Sequence, residues 1–306
     1  ALSAGAARGT AAELARHARL ANDLDTALTA SIRAGKEAST VGGPDEAAYH
    51  FQQALELLAD PQRGAAVDVD LSKLVVATAD ALVASGDPER AIAVIQEQLD
   101  RLPPDATDAA RARMISAQAN ALYITETEED PSLRSAEAVA LAPEGESPLR
   151  ARILANHARI LAACGRYEEA QAAGMDALAL AERLDLNELA SDAITTLSGL
   201  KKAGPKEGLR AALVDAVAQA QQAGAVHAEL RGRFFLGRSF EDWGEFDGAQ
   251  EWFSSAIDVA TAAGLPWAPY GFESRWQLAL VELIRGRWDE VLRLTSVVDQ
   301  GPPPIP

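Results

Sequence analysis

The residue types most often used for catalysis or metal binding are scattered in this sequence. The histidines, His17, His50, His157 and His227, are far apart, and none forms a His-x-x-x-His pair or has a neighbouring cysteine. The single cysteine, Cys164, stands at the expected end of a packed helix, where a buried inert thiol is favoured over a nucleophile. Most of the 45 acidic residues are expected to lie on the outer surface, where water solvates them. We therefore expect a non-catalytic chain without a metal site or cofactor.

Arginines form the first pattern that predicts binding. Arg152 and Arg159 are seven residues apart, as are Arg231 and Arg238, so each pair lies along one face of a helix. Asn156, between the first two, offers a further hydrogen-bond donor. Planar guanidinium groups hold carboxylates or phosphates through paired hydrogen bonds. The pattern predicts an anion-binding surface; the alternative is that these arginines pair with nearby Asp or Glu residues of the chain itself.

Aromatic side chains form the second pattern, because they crowd into one region. Twelve of the sixteen, including all five tryptophans, lie between Phe234 and Trp288. Phe234 and Trp276 each stand ten residues before a glycine, close to the arginine positions. One interpretation is an apolar or stacking subsite for a small inducer, or a docking patch. The other is a bulkier core at this end of the molecule.

The elements that must position these side chains follow from an internal repeat. Glycines recur between two apolar-periodic stretches at intervals near 40 residues, except for one interval of 79 that hides a missed turn near residues 129–131. These turn glycines are Gly42, Gly86, Gly165, Gly204, Gly244 and Gly286. A period near 40 with a turn in the middle indicates two helices per unit.

Small residues repeat in register with those turns. They recur seven residues before the turn (for example Gly35, Ala158 and Gly237), five after it (Ala47, Ala170 and Ala249) and twelve after it. Small side chains allow two antiparallel helices to approach to about 8 Å, the lower limit of helix packing. The spacing therefore predicts tightly packed helical hairpins.

Two of these units resemble tetratricopeptide (TPR) repeats of a lengthened kind, on the segments GRYEEA at 165–170 and GEFDGA at 244–249. The opening of the chain, with ELARHA at 13–18, NDLDTAL at 22–28, AGKEA at 34–38 and QALEL at 53–57, is similar to one subfamily. That subfamily is the helical region after the NTPase module of large ATP-binding LuxR-type (MalT-like) bacterial transcription regulators. The resemblance implies a region that senses an inducer or partner and controls the NTPase. Neither a Gly-x-x-x-x-Gly-Lys-Ser/Thr loop nor a basic helix-turn-helix stands in this sequence.

The expected architecture is all-α: a right-handed α–α superhelix, or TPR-like solenoid, of about seven helical hairpins. We expect a single continuous domain over residues 1–300, with N-terminal helices in 1–60 and hairpins in 61–300. Residues 301–306 would begin a proline-rich linker. Fifteen helices are expected, the fourth of them over 66–85, because proline and glycine positions mark the breaks between them.

Charge and composition limit the partners. A net charge of −17 argues against a chain that coats nucleic acid, because phosphate binding needs an excess of basic residues. The sequence has no run of 18 apolar residues and no signal peptide, so we expect a cytoplasmic protein without a membrane segment. Its ligand should be a peptide, a protein or a small anion on the concave face. The residues predicted to bind it are Arg152, Asn156, Arg159, Arg231, Phe234, Arg238 and Trp276.

Two functions stay open at this point. The first, which we favour, is a sensor domain of a LuxR-type regulator, with an NTPase module and a DNA-binding domain in the parent chain and no nucleic-acid binding by this region. The second is a free-standing interaction scaffold that holds a peptide or assembles complexes.

Overall fold

In the computed structural model of the protein, which describes residues 10–59, 69–125, 129–200 and 206–296, all the regular secondary structure is α-helical. No helix among these residues is long and apolar enough to cross a membrane. The fifteen helices are α1 Thr10–Leu20, α2 Leu24–Thr40, α3 Pro44–Leu58, α4 Leu71–Ser85, α5 Pro88–Asp100, α6 Asp108–Ile124, α7 Pro131–Leu141, α8 Pro148–Ala163, α9 Tyr167–Arg183, α10 Asn187–Leu200, α11 Lys206–Ala223, α12 Val226–Glu241, α13 Phe246–Ala262, α14 Pro269–Ile284 and α15 Trp288–Thr295.

Local capping chemistry sets where these helices begin and end. The fourth helix begins at Leu71 rather than at residue 66, because the Asp70 carboxylate caps it by accepting a hydrogen bond from the Lys73 backbone N–H at 3.1 Å. The same helix ends at Gly86, whose φ of +88° is the left-handed conformation that favours glycine. Residues 66–68 of the predicted helix lie outside the described residues.

The helices pair into seven hairpins, as the repeat predicted. Each hairpin has an inner helix and an outer helix, and α1 packs against the first hairpin. The inner helices from α4 to α14 contact one another in sequence, and each outer helix contacts the inner helix that follows it. This two-layer arrangement is a TPR-like α–α superhelix, so the predicted fold class is confirmed. The boundaries 1–300 stay a prediction, and residues 301–306 lie outside the described residues.

The hairpins meet at the small residues that the register predicted. Ala47, Ala170 and Ala249 have no exposed surface, which places all three between helices. Gly237 shows why a side chain is excluded: a β-carbon there would lie 2.9 Å from Cζ of Phe253, and closer still to two other ring atoms. Gly204 and Leu209, also in the predicted register, lie outside the part of the chain whose side chains are described.

The superhelix returns on itself at two glycines. Gly42, in the turn of the first hairpin, and Gly264, in the turn between α13 and α14, have φ of +74° and +71°. A β-carbon on Gly42 would overlap the carbonyl oxygen of Ala263, and one on Gly264 would overlap the carbonyl oxygen of Gly42. The two turns are therefore in backbone contact, and the intervening hairpins form one circuit around a central space.

Candidate functional site

The inner helices α4, α6, α8, α10, α12 and α14 surround a cavity of about 1150 Å³, which we call the lumen. Its volume lies just above the range of about 300–1,000 Å³ that is usual for small-molecule sites. Five of the seven predicted binding residues line it: Arg152, Asn156, Arg159, Arg231 and Phe234. Arg238 and Trp276 are not among its lining residues.

Arg231, in α12, is the most enclosed cation of the lumen, with 3% of its surface exposed. Its Nη1 donates to the carboxylate of Asp192 at 2.6 Å and to the Asp192 backbone carbonyl at 2.8 Å. Its Nη2 donates to the Thr196 hydroxyl at 2.8 Å, and its Nε donates to the Tyr270 hydroxyl at 3.2 Å. All three guanidinium nitrogens therefore have partners within the chain, as in the alternative interpretation of the arginine pattern.

The charges of this pair depend on each other. Burial opposes the charge of Arg231, but Asp192 and the neighbouring tyrosine hydroxyls outweigh it and raise the pKa of the guanidinium. Burial likewise acts to raise the pKa of Asp192, but the Arg231 and Arg159 guanidinium groups hold that pKa below its ordinary value. Both groups are therefore charged at neutral pH, and each gives the other its largest favourable charge–charge interaction.

Arg159, in α8, is also held by the chain. Its Nη2 donates to Oδ1 of Asn120 at 2.6 Å and to Oδ1 of Asn156, and its Nη1 lies 3.6 Å from the carboxylate of Asp192. Asn156 in turn donates to the backbone oxygen and the hydroxyl of Ser116, at 2.8 and 3.1 Å. These bonds join α6 to α8 and α8 to α10, one inner helix to the next.

Tyr123 of α6 lies beside Tyr270 of α14, so two inner helices that are distant in sequence approach each other at the lumen. The neighbouring Tyr270 hydroxyl, together with burial, raises the pKa of Tyr123, so the phenol stays protonated at neutral pH. Polar side chains from five inner helices thus follow one another around the lumen. We call this set the polar belt: Tyr123, Asn120, Asn156, Arg159, Asp192, Thr196, Arg231 and Tyr270.

Arg152 is the predicted arginine that remains available. It is exposed to the lumen, and within the described part of the chain it makes no hydrogen bond and no ion pair. Arg113, one repeat earlier on α6, also lines the lumen, and its buried Nε has no hydrogen-bond partner among the described residues. A ligand in the lumen therefore meets these two guanidinium groups without first displacing an ion pair.

The last two predicted residues lie elsewhere. Arg238 pairs with Glu241 at 2.9 Å and with Asp242 at 3.4 Å near the end of its own helix, and it donates to Gln277 of α14 at 3.1 Å. Trp276 is an exposed side chain on α14. Phe234, by contrast, faces the lumen and packs against Tyr270, with ring centroids 5.6 Å apart.

Asp80, in α4, should give the lumen a measurable pH dependence. Although the side chain is exposed to the lumen, the surrounding helices withdraw it from bulk water and raise its pKa to about 6; Glu188 adds to this shift, and Arg152 and Arg159 oppose it. The folded state therefore binds a proton more readily than the unfolded chain, so the charged carboxylate destabilises the fold above pH 6, and this cost vanishes below the unfolded value of 3.8.

We accordingly expect Asp80→Asn to raise the thermal midpoint at pH 7.5 and to have no effect near pH 3.5. The measurement is thermal unfolding across that pH range, with Asp215→Asn, an exposed site on α11, as the matched control. An equal shift of the thermal midpoint at both pH values would show that the charge of the Asp80 carboxylate does not destabilise the folded state.

The histidines and the cysteine offer no catalytic or metal-binding arrangement in the described residues. No group of three or more His, Cys, Asp or Glu side chains is placed there to hold a metal ion. Cys164 is exposed rather than buried as predicted, because it caps the end of α8 at a turn that faces solvent. Partial desolvation and the nearby Asp130 carboxylate raise the pKa of its thiol, which disfavours a thiolate nucleophile.

Comparison with known proteins gives matches to solved structures only, since no family model and no curated protein matches the chain. The Rap protein complexed with Competence and Sporulation Factor is similar with a TM-score of 0.59 and 11% identity, over 87% of this chain and 74% of that one. A Signal Transduction ATPase with Numerous Domains (STAND) that has a tetratricopeptide repeat sensor, from Pyrococcus horikoshii, gives 0.50 and 15%, over 94% of this chain and 45% of that one. The fold is TPR-like.

A monomeric mutant of IFIT1 with m7Gppp-AAAA is a third structure of this TPR-like shape, with a TM-score of 0.50 and 14% identity, over 97% of this chain and 70% of that one. At these identities the likeness concerns the fold alone. The TPR-like chain spans less than half of the STAND protein, so the remainder of that protein has no counterpart here.

Several residues of the lumen were missed by sequence reasoning, chiefly Asp192, Tyr270 and Asp80. A signal for the first two exists: Asp192, Arg231 and Tyr270 are spaced by 39 residues, as are Asn120 and Arg159. This spacing equals the repeat, so hydrogen-bonding residues at equivalent positions of successive TPR-like units meet. Asp80 stands six residues before Gly86, as Arg159 does before Gly165, so the register of the turns marks its position, although it was not among the predicted binding residues.

Proposed function

We propose that this TPR-like chain is a non-catalytic binding domain that takes a peptide, a segment of a protein or a small anionic ligand into its lumen. The observation that carries the proposal is Arg152: an exposed guanidinium, unpaired among the described residues, that lines a cavity of about 1150 Å³ in which Arg159 and Arg231 are already engaged. Unpaired guanidinium groups in concave sites hold carboxylates and phosphates well.

We further propose that binding serves as a sensor input in a LuxR-type transcription regulator. In that proposal the parent chain carries an NTPase module and a DNA-binding domain, and the ligand changes the curvature of the superhelix. A ligand can do so only if its affinity for the two curvatures differs. The opening segments at 13–18 and 22–28 support this reading, as does the likeness to a STAND ATPase whose sensor is a tetratricopeptide repeat.

A free-standing interaction scaffold is the second candidate, and one feature favours it. Trp243, Trp276 and Trp288 are each more than half exposed, and none of them lines the lumen. Exposed tryptophans are enriched where proteins dock on one another. Such a scaffold would bind a protein on its outer surface and would need no ligand in the lumen.

The test of lumen binding uses citrate, inorganic phosphate and an oligoglutamate peptide as probes in thermal unfolding. We expect at least one probe to raise the midpoint of the wild-type chain, since a ligand at 100 times its Kd stabilises the folded state by about 2.7 kcal/mol. Arg152→Ala should abolish that rise. The matched control is Arg101→Ala, at the end of the outer helix α5, which should respond like the wild type.

Equal responses from Arg152→Ala and Arg101→Ala would refute binding at the lumen and leave the outer-surface scaffold. Fluorescence of the tryptophans gives a second readout, because a partner that covers Trp243, Trp276 and Trp288 changes their emission and a ligand confined to the lumen does not reach them.

A further inference from the structure

The charges that line the lumen are not evenly distributed along the inner helices. The earlier helices α4, α6 and α8 contribute four cations, Lys73, Arg113, Arg152 and Arg159, against one carboxylate, Asp80. The later helices α10, α12 and α14 contribute one cation, Arg231, against three carboxylates, Glu188, Asp192 and Glu273. The lumen of an acidic protein therefore has a basic half and an acidic half.

Internal pairing leaves this division in place. Arg231, Asp192 and Arg159 are engaged in the polar belt. When these three are set aside, the earlier helices still contribute more cations than carboxylates, and the later helices contribute only carboxylates. The charged groups that remain for a ligand are Arg113 and Arg152, with Asp80, in the basic half and Glu188 and Glu273 in the acidic half. All five line the lumen, and none forms an ion pair within the described residues, whereas Lys73 pairs with Asp70 at 3.3 Å.

An aromatic surface lies on the later helices α12 and α14 and reaches Tyr123 of α6 through Tyr270. Phe234, Phe235 and Tyr270 line the lumen, and the ring centroid of Phe234 lies 5.4 Å from that of Phe235. Such a surface can hold the apolar middle of a ligand while its ends reach charged groups. A simple anion would use only the basic half and would leave Glu188 and Glu273 facing its like charge.

We infer that the lumen binds a dipolar ligand, with a carboxylate held by Arg113 and Arg152 and an ammonium group held by Glu188 and Glu273. A short peptide with both ends free has this chemistry, and so has any other molecule with an amine and an acid at opposite ends. This inference rests on the proposed function and narrows it, because a purely anionic ligand would not satisfy it.

The test is equilibrium dialysis of the full chain against one mixture of tetrapeptides in three forms, with free ends, N-acetylated or C-amidated, read by mass spectrometry. We expect retention of peptides with free ends and about tenfold weaker retention of either capped form, since each cap removes a charge-assisted hydrogen bond. Matched small molecules, 6-aminohexanoate against hexanoate and hexylamine, distinguish peptides from other amine–acid compounds.

Two variants assign the orientation. Arg152→Gln should reduce the effect of amidation while acetylation keeps its full effect, and Glu273→Gln should do the reverse, since each variant removes one of the two groups that hold that end. Both side chains are exposed, so both variants should fold, and their thermal midpoints verify this. Arg101→Gln is the control that should preserve both effects.

The outcomes separate this inference from the proposed function. Retention that ignores both caps, or that falls only on amidation, overturns the dipolar ligand and leaves lumen binding in place. The assignment of the two halves is wrong if both variants keep the wild-type response to both caps. It is also wrong if Arg152→Gln loses the response to acetylation or Glu273→Gln loses the response to amidation. No retention of any form by the wild-type chain, together with no response to the anionic probes, overturns both.

Discussion

Arg231→Met is expected to destabilise the protein by about 3–5 kcal/mol, because it leaves a buried partner charge uncompensated. The Asp192 carboxylate would lose its 2.6 Å ion pair and keep only the 3.6 Å approach of Arg159. Thr196 and Tyr270 would lose the same donor. The measurement is urea unfolding at pH 7, with Arg101→Met, which breaks an exposed pair with Glu97, as a control expected to cost at most about 1 kcal/mol.

Lowering the pH tests whether the uncompensated charge of Asp192 causes the destabilisation of Arg231→Met. In the wild type the pKa of Asp192 is lowered, so the stability from its charge is present at neutral pH and is lost only as the pH falls through that low value. Without Arg231 the pKa of Asp192 should rise, so protonation near pH 5 should recover part of the deficit. Arg231→Met combined with Asp192→Leu should recover more, since an apolar pair can replace a buried ion pair. A deficit that is the same at pH 7 and pH 5 would exclude this mechanism.

Gly237→Leu is expected to be the most damaging change in the packing of the hairpins, at about 3 kcal/mol or more. Overpacking typically costs about 1–3 kcal/mol, and here the ring that must move has no room to do so. Phe253 has no exposed surface and packs among Ala249, Leu278 and Ala279. The measurement is again the free energy of unfolding in urea.

Gly208→Leu on α11 is the matched control, because no described atom lies within 4 Å of a β-carbon at that site. It should be neutral or stabilising by up to about 1 kcal/mol, the difference in helix propensity. Gly237→Ala with Phe253→Leu should be less harmful than the sum of the two single changes, because the smaller side chain vacates the space that the added methyl group needs. Additive effects would mean that the two residues are not in contact.

The sequence predicted the scaffold well because the rules that build it are local. Glycine at a left-handed helix end, proline in a first turn and alanine between helices each act within a few residues, and each recurs with the repeat. Gly86, Pro88 and Ala91 show all three within one turn, and the structure places them as expected. The start of α4 was misplaced because Asp70, a cap, was not recognised as one.

The use of the arginines could not be predicted in the same way, because it depends on partners one repeat away. Arg231 and Arg152 occupy the same position relative to their turns, yet Arg231 meets Asp192 and Arg152 meets no carboxylate within ion-pair distance among the described residues. One repeat of 39 residues before Arg231 stands the carboxylate of Asp192, whereas the same distance before Arg152 stands another arginine, Arg113. Whether an arginine is structural or available for a ligand is therefore decided by the adjacent unit.

The backbone contact between Gly42 and Gly264 gives the molecule a fixed circumference. The ring consists of whole hairpins. Deleting one hairpin by mutagenesis would pull the two turns apart, and inserting one would force them past each other. A ligand that tightens or relaxes the ring must close or open this seam by the accumulated change of every hairpin in between. A shift too small to detect at any one helix would there add up to a measurable displacement.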